Sequence, residues 1–188
     1  MNPAPNLFFI GPMGAGKTTI GRGVAELLGL PFHDLDHAIQ AHCGADIPLI
    51  FDIEGECGFR ERESAALAEL AAHSDIVLAT GGGAVLAEEN RHLLHARGFV
   101  VYLETTVDEQ LQRLARDRKR PLLAAPDRRE RLLAMAAKRD PLYREIADLI
   151  VPAGPRKGTA QVAQRLAAEL GRCWQRTTTH AGAADHAA

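Results

Sequence analysis

Cysteine is scarce in this chain. Three residues, Cys43, Cys57 and Cys173, are spread over 188 positions. An odd, scattered set without CxxC spacing excludes a disulfide framework and reads as reduced thiols in a cytosolic protein. Long apolar runs are also missing: no window reaches the roughly 18 apolar residues of a membrane span, and no basic segment followed by an apolar one opens the chain. Neither sign of charge dominates, since 22 Lys+Arg against 24 Asp+Glu leaves a formal net charge of −2. A general nucleic-acid binder needs a basic excess for its phosphate contacts, so that class is excluded. The arginine-rich runs RLARDRKR (113–120) and DRRER (127–131) read in isolation as solvated helix faces.

What remains is an ordinary globular composition, 46% apolar, long enough for one domain with a real core. Short apolar runs alternate with helical patterns. LFFI (7–10), PFHDLDH (31–37), DIVLAT (75–80), FVVYLE (99–104) and LIVP (149–152) read as strands, unbroken enough to be buried on both sides. Helices are predicted from about Lys17 to a stop at Gly29, over 37–43, 59–73, 87–97, 107–116, 127–147 and 159–171, with an irregular stretch at 44–58. On the first helix Ile20, Val24, Leu27 and Leu28 share a face; on the third, Phe59, Ala66, Leu67 and Leu70 do. Alternation of this kind indicates a parallel sheet with helices on both faces. The polar, proline-flanked stretch 117–126 suits a mobile connection. The domain is expected to span 1–172, and the tail 173–188, rich in Ala, His and Thr without periodicity, to be disordered.

Directly after LFFI stands GPMGAGKTTIG. Gly11, Gly16, Lys17 and Thr18 satisfy the spacing of a phosphate-binding loop between a strand and a helix. Glycines let the backbone curl so that successive N–H groups point inward at phosphate oxygens, and the helix adds its positive end to the same place. Gly14, Ala15, Gly16, Lys17, Thr18 and Thr19 are therefore candidate ATP contacts. Lys17 reaches the β- and γ-phosphates, and the Thr18 hydroxyl suits Mg²⁺. The guanine pocket of a switch GTPase would need Asn-Lys-x-Asp, and Asn2, Asn6 and Asn90 all lack that context. A small-molecule kinase is the natural remaining class.

Such a kinase needs a second pocket beside the γ-phosphate. DLD at 34–36 ends the second strand, where alternating carboxylates point to different sides. One is available to the metal's water shell and the other to an acceptor hydroxyl, although two acids at a strand end are as often merely solvated. Arg60 and Glu63 stand three apart on a helix, in isolation more often a surface ion pair. TGGG (80–83) ends a buried strand with bare backbone, which admits either a ligand or a tight turn. His92 and His95 read as surface residues, Cys57 as a buried inert thiol, and Trp174 as packed on the last helix or exposed.

The set GPMGAGKTT, DLD, GExxFRxxE (Gly55, Glu56, Phe59, Arg60, Glu63), ATGGG, RPLL (120–123) and KRDPLYREIAD (138–148) resembles the shikimate kinase family in order and spacing over residues 7–170. The resemblance implies a three-layer α/β/α fold of the phosphate-loop kinase type around a five-stranded parallel sheet. It also implies a substrate-binding subdomain at about 33–63 and a mobile lid at about 115–126. It implies ATP-dependent phosphorylation of the shikimate 3-hydroxyl, with one Mg²⁺, by a cytoplasmic monomer that engages neither nucleic acid nor membrane. Carried over residue by residue, Asp36 would be the catalytic base and a substrate contact, and Asp34 would join Thr18 at the metal. Arg60 and Arg139 would grip the shikimate carboxylate, with Glu63 orienting Arg60 and Gly81, Gly82 and Gly83 lining the pocket. Arg120 would reach the transferring phosphate from the lid; Arg113 and the loop at 154–158, through Arg156, would flank adenine. A kinase of gluconate or another small polyol acid, and a non-catalytic nucleotide binder of the same fold, are the alternatives at this stage.

Overall fold

Strand β1 (Asn6–Ile10) is buried along its whole length, which demands neighbours on both edges and covering layers on both faces. In the computed structural model, which describes residues 3–115, 127–152 and 158–177, β1 has them. It pairs in parallel with β3 (Val77–Ala79) on one side and β4 (Gly98–Leu103) on the other. Strands β2 (Phe32–Asp34) and β5 (Leu149–Val151) complete a five-stranded parallel sheet in the order β2-β3-β1-β4-β5.

Side-chain alternation divides the core in two. Leu7 and Phe9 face a layer made by α1 (Lys17–Leu28) and α7 (Thr159–Cys173), joined by Val77, Val101 and Leu103. Phe8 and Ile10 face the opposite layer, built by α2 (Leu35–Cys43), α3 (Ile47–Ala71), α4 (Glu88–Arg97) and α6 (Arg128–Ile146). The helix α5 (Val107–Arg113) follows β4, with Leu114, Leu132 and Met13 forming a small third cluster. Truncating a ring such as Phe8 or Phe9 would leave a cavity costing about 3–5 kcal/mol. The three-layer α/β/α architecture is thus the one the alternation predicts.

Several elements depart from expectation. Leu27 is exposed, and the buried face of α1 runs instead through Ile20, Gly21, Val24 and Ala25, where a Cβ on Gly23 would come within 3.0 Å of Ala163 on α7. The stretch 44–58, expected to be irregular, is largely helical. Asp46 accepts a hydrogen bond from the Leu49 N–H at 3.0 Å, Pro48 sits in the first turn, and α3 continues until Gly55 breaks it with φ 69°. That glycine, expected inside an irregular stretch, is a kink inside a helix. Cys57 lies just beyond it on the solvent side, exposed rather than buried. The ordered chain also extends past 172: α7 reaches Cys173, Trp174 Nε1–H donates to the Ala4 carbonyl at 2.9 Å, and Arg176 pairs with Asp75 at 2.7 Å. Residues 178–188 lie outside the described residues.

Candidate active site

The chain leaves β1 at the point where its two neighbours belong to connections running opposite ways. Such a switch point opens a crevice at the carboxyl ends of the strands. The phosphate loop fills it. Gly11 has φ 137°, and a Cβ there would come within 2.6 Å of the Leu103 carbonyl on β4, so only glycine fits this start. Gly14 and Gly16 also take positive φ, 76° and 91°, and Gly16 leads into α1 without any side-chain cap. The amides of the first turn are therefore left to a ligand. Lys17 Nζ arches over the loop, donating to the carbonyls of Gly11 (2.7 Å) and Pro12 (3.0 Å).

Two side chains of α5 brace the loop from outside. Gln110, buried, donates from Nε2 to the Met13 carbonyl at 2.9 Å, and Arg113 donates from Nη1 to the Gly14 carbonyl at 3.0 Å while pairing with Glu109. Arg113, expected to flank adenine, thus also contacts the backbone of the phosphate loop. Gln110 carries no motif and was legible only as a polar residue in an otherwise helical pattern.

Thr18 meets Asp34. The hydroxyl donates to Asp34 Oδ2 at 2.6 Å, while Asp34 Oδ1 accepts the His37 N–H at 3.2 Å and so caps α2. The DLD motif is therefore not a strand end throughout. Asp34 closes β2, and Asp36 sits in the first turn of α2, because the capping carboxylate turns the chain into a helix after one residue. Helical geometry, not strand alternation, separates the two carboxylates, sending Asp34 toward the phosphate loop and Asp36 toward the glycine-rich turn.

That turn, Gly81–Gly83, is where the remaining parts converge. A Cβ on Gly81 would collide with Glu63 Oε1 and come within 3.0 Å of Asp36 Oδ1. A Cβ on Gly82 would lie 3.4 Å from Met13 N and 3.5 Å from Gly11 O, so this residue touches the phosphate loop. A Cβ on Gly83 would fall inside the Arg60 guanidinium. Arg60 is held by Glu63 Oε2 at 2.6 Å and by Glu56 at 3.1 Å, and Arg139, almost wholly buried, donates from Nη1 to the Gly82 carbonyl at 3.4 Å. The two arginines come from α3 and α6, and both line one cleft of about 530 Å³ with Asp34, Asp36, Phe51 and Phe59.

Burial pushes the Glu63 carboxyl above its ordinary range, against the pull of Arg60; Asp36 adds to the rise and Arg139 opposes it. Among the described residues, Glu63 Oε1 and Arg60 Nε are buried without a hydrogen-bond partner. Buried polar groups left unpaired are costly, and here both sit in the cleft wall. A second cleft, about 500 Å³, lies across Met13 and Arg139 between Tyr102, Leu132 and Met135. Arg120, Arg156 and residues 116–126 of the expected lid lie outside the described residues. His92 and His95 are exposed, as read, with His92 beside Glu88.

A protein-family model described as shikimate kinase matches residues 13–171. A shikimate kinase of Stenotrophomonas maltophilia is 55% identical over 176 residues, covering 94% of this chain and 97% of its own. One from Xanthomonas campestris pv. campestris is 52% identical over 184 residues, covering 96% and 100%. Among solved structures, shikimate kinase from Acinetobacter baumannii in complex with shikimate matches with a TM-score of 0.85 at 47% identity, covering 91% of this chain and 95% of that one.

Proposed function

The chain belongs to the shikimate kinase family, and we propose that its cleft holds shikimate against the γ-phosphate of ATP through the residues assembled at the glycine-rich turn. The reaction is phosphorylation of the shikimate 3-hydroxyl by ATP, giving shikimate 3-phosphate and ADP, a step of aromatic amino-acid biosynthesis.

The observation that carries the assignment of roles is the Gly81–Gly83 turn. One face of it touches the phosphate loop at Met13 N and Gly11 O, and the other lies under Arg60. A small acid seated there is gripped at one end and presented to the triphosphate at the other. Arg60 and Arg139 bind its carboxylate through charge-assisted hydrogen bonds, and the unpaired Arg60 Nε–H is a donor for it. Glu63 orients Arg60, and the bare backbone of Gly81 to Gly83 lets the ring approach. Asp36 accepts the hydroxyl proton late in a loose transition state, for which a modestly basic carboxylate suffices. On the other side, the amides from Gly14 to Thr19 and Lys17 hold the phosphates, so most of the acceleration comes from positioning and charge neutralisation. Arg113 steadies the loop and is proposed, on the family pattern, to flank adenine. Arg120 and Arg156 are proposed, on the family pattern alone, for the transferring phosphate and the adenine. The stretch 33–63 acts as the substrate-binding part and 115–126 as the lid.

Mg²⁺ fits the hard-oxygen pair of the Thr18 hydroxyl and Asp34 carboxylate. Among the described residues no group of three or more His, Cys, Asp or Glu builds an all-protein metal cage, which agrees with an ion shared with phosphates and water. When bound it neutralises charge on the phosphates. Consumption of ATP and three free thiols fit the cytoplasm, and no helix among the described residues is long and apolar enough to cross a membrane. A monomer is proposed as the working unit, on the family pattern alone.

The test is turnover on a panel of hydroxy acids. Purified protein with ATP and Mg²⁺ is expected to release ADP with shikimate and to yield the 3-phosphate by NMR. Turnover of gluconate but not of shikimate would reject the reading.

A further inference from the structure

The wall between the two clefts contains one buried side chain that no motif-based role uses. Tyr143 on α6 is 1% exposed, and its hydroxyl donates to the Gly82 carbonyl at 2.5 Å. That same carbonyl accepts from Arg139 Nη1 at 3.4 Å, and Gly82 is the residue of the turn packed against Met13 and Gly11. One turn of helix therefore sends both an arginine and a phenol to a single backbone oxygen at the junction of cup and phosphate loop.

The ring is fixed as firmly as the hydroxyl. It stacks on Tyr102 with centroids 5.0 Å apart, and Tyr102 in turn donates to Asp140 at 2.7 Å, with Asp140 paired to Arg144. This places Tyr143 in a defined position relative to β4, with its hydroxyl donating to the Gly82 carbonyl and also in hydrogen-bonding contact with the Arg139 side chain. Burial pushes the phenol well above its ordinary range, so it remains a donor at any working pH.

The geometry points to Tyr143 as a positioning residue for shikimate, acting through the Gly82 carbonyl to hold the glycine-rich turn and Arg139 in register. Arg139's own bond to this carbonyl is long, 3.4 Å, and shares its acceptor. Without the phenol, the carbonyl is free to rotate toward Arg139 and draw the guanidinium off the acid's carboxylate. The phosphate side is braced separately, by Gln110 and Arg113 on α5. The effect should therefore fall on the acceptor and spare the nucleotide.

The test is Tyr143→Phe, which keeps the ring and its stack and removes only the hydroxyl. Tyr102→Phe serves as the control, since it removes a hydroxyl bonded to Asp140 one ring away. Tyr143→Phe should raise the shikimate KM about fivefold, the size of one lost hydrogen bond. The ATP KM should stay within about twofold of wild type, as should both constants in Tyr102→Phe. Thermal unfolding of the two variants should be alike. A shikimate KM within about twofold of wild type in Tyr143→Phe would overturn the inference. So would an equal rise in both KM values, or the same rise in Tyr102→Phe, each of which marks general loosening of α6. The inference rests on shikimate being the acceptor: failure of the wild-type protein to turn it over would reject that reading instead.

Discussion

Gly83→Ala separates the acceptor grip from the fold. Gly83 has φ −101° and ψ −5°, a negative-φ conformation open to alanine. The three atoms nearest the added methyl are Nη1, Cζ and Nη2 of Arg60, all closer than atoms can sit. Arg60 cannot simply swing away, because Glu63 holds Nη1 at 2.6 Å and Glu56 holds Nη2 at 3.1 Å. To regain ordinary contact the guanidinium must retreat by roughly 1 Å or more. A charge-assisted hydrogen bond is worth about 1.5–3 kcal/mol. Displacing one of the two arginines should thus cost about 2 kcal/mol of shikimate binding, about a 30-fold rise in KM. Backbone entropy favours the variant by about 0.4–1 kcal/mol, but strain on the Arg60–Glu63 pair opposes it, so Tm should stay within a few degrees of wild type. Steady-state kinetics at saturating ATP, with thermal unfolding alongside, measure both. A shikimate KM within about threefold of wild type would refute the placement of Arg60 at the carboxylate. A fall in Tm of well over a few degrees would refute the claim that the perturbation is confined to Arg60.

Three further outcomes are expected. Lys17→Ala should lower kcat by about 10²–10³-fold with Tm nearly unchanged, since the side chain lies over a solvent-facing loop; near-wild-type turnover would remove Lys17 from the chemistry. Thr18→Val should raise the Mg²⁺ concentration for half-maximal rate about tenfold or more, and an unchanged magnesium titration would take the hydroxyl off the metal. Glu63→Gln reports on burial: the folded carboxyl titrates above its ordinary 4.5, so the native state holds a proton that the unfolded chain has lost. Wild-type stability relative to the variant should therefore be greatest below 4.5 and fall as pH rises through the elevated value, because ν of the folded state exceeds that of the unfolded state in that window. A Tm difference flat across the same range would contradict it.

Much of the nucleotide side was legible along the chain, because its requirements are local. A strand, a glycine turn and a helix start are contiguous, and Gly11, Gly16, Lys17 and Thr18 need no distant partner to be recognised. Asp34 and Asp36 were legible as candidates but not as geometry. The sequence showed two acids near a strand end; in the structure Asp34 caps α2 by accepting the His37 N–H, and Asp36 lies in the first turn of that helix. Gly55 misled in a similar way, since a glycine that kinks a helix is indistinguishable in sequence from one within an irregular stretch.

What the sequence by itself determined was the alternation of strand and helix, the layers that follow from it, and the phosphate cage. Apolar periodicity and backbone permissiveness act over a few residues and leave their mark in order. Only the tertiary structure decided that Gly82 touches Met13, that Arg60 and Arg139 reach one turn from different helices, and that Gln110 and Tyr143 end on backbone carbonyls of that region. Those contacts join residues tens of positions apart, where the pairing energy depends on the packed sheet and helices that bring them together. No local pattern encodes a partner that distant.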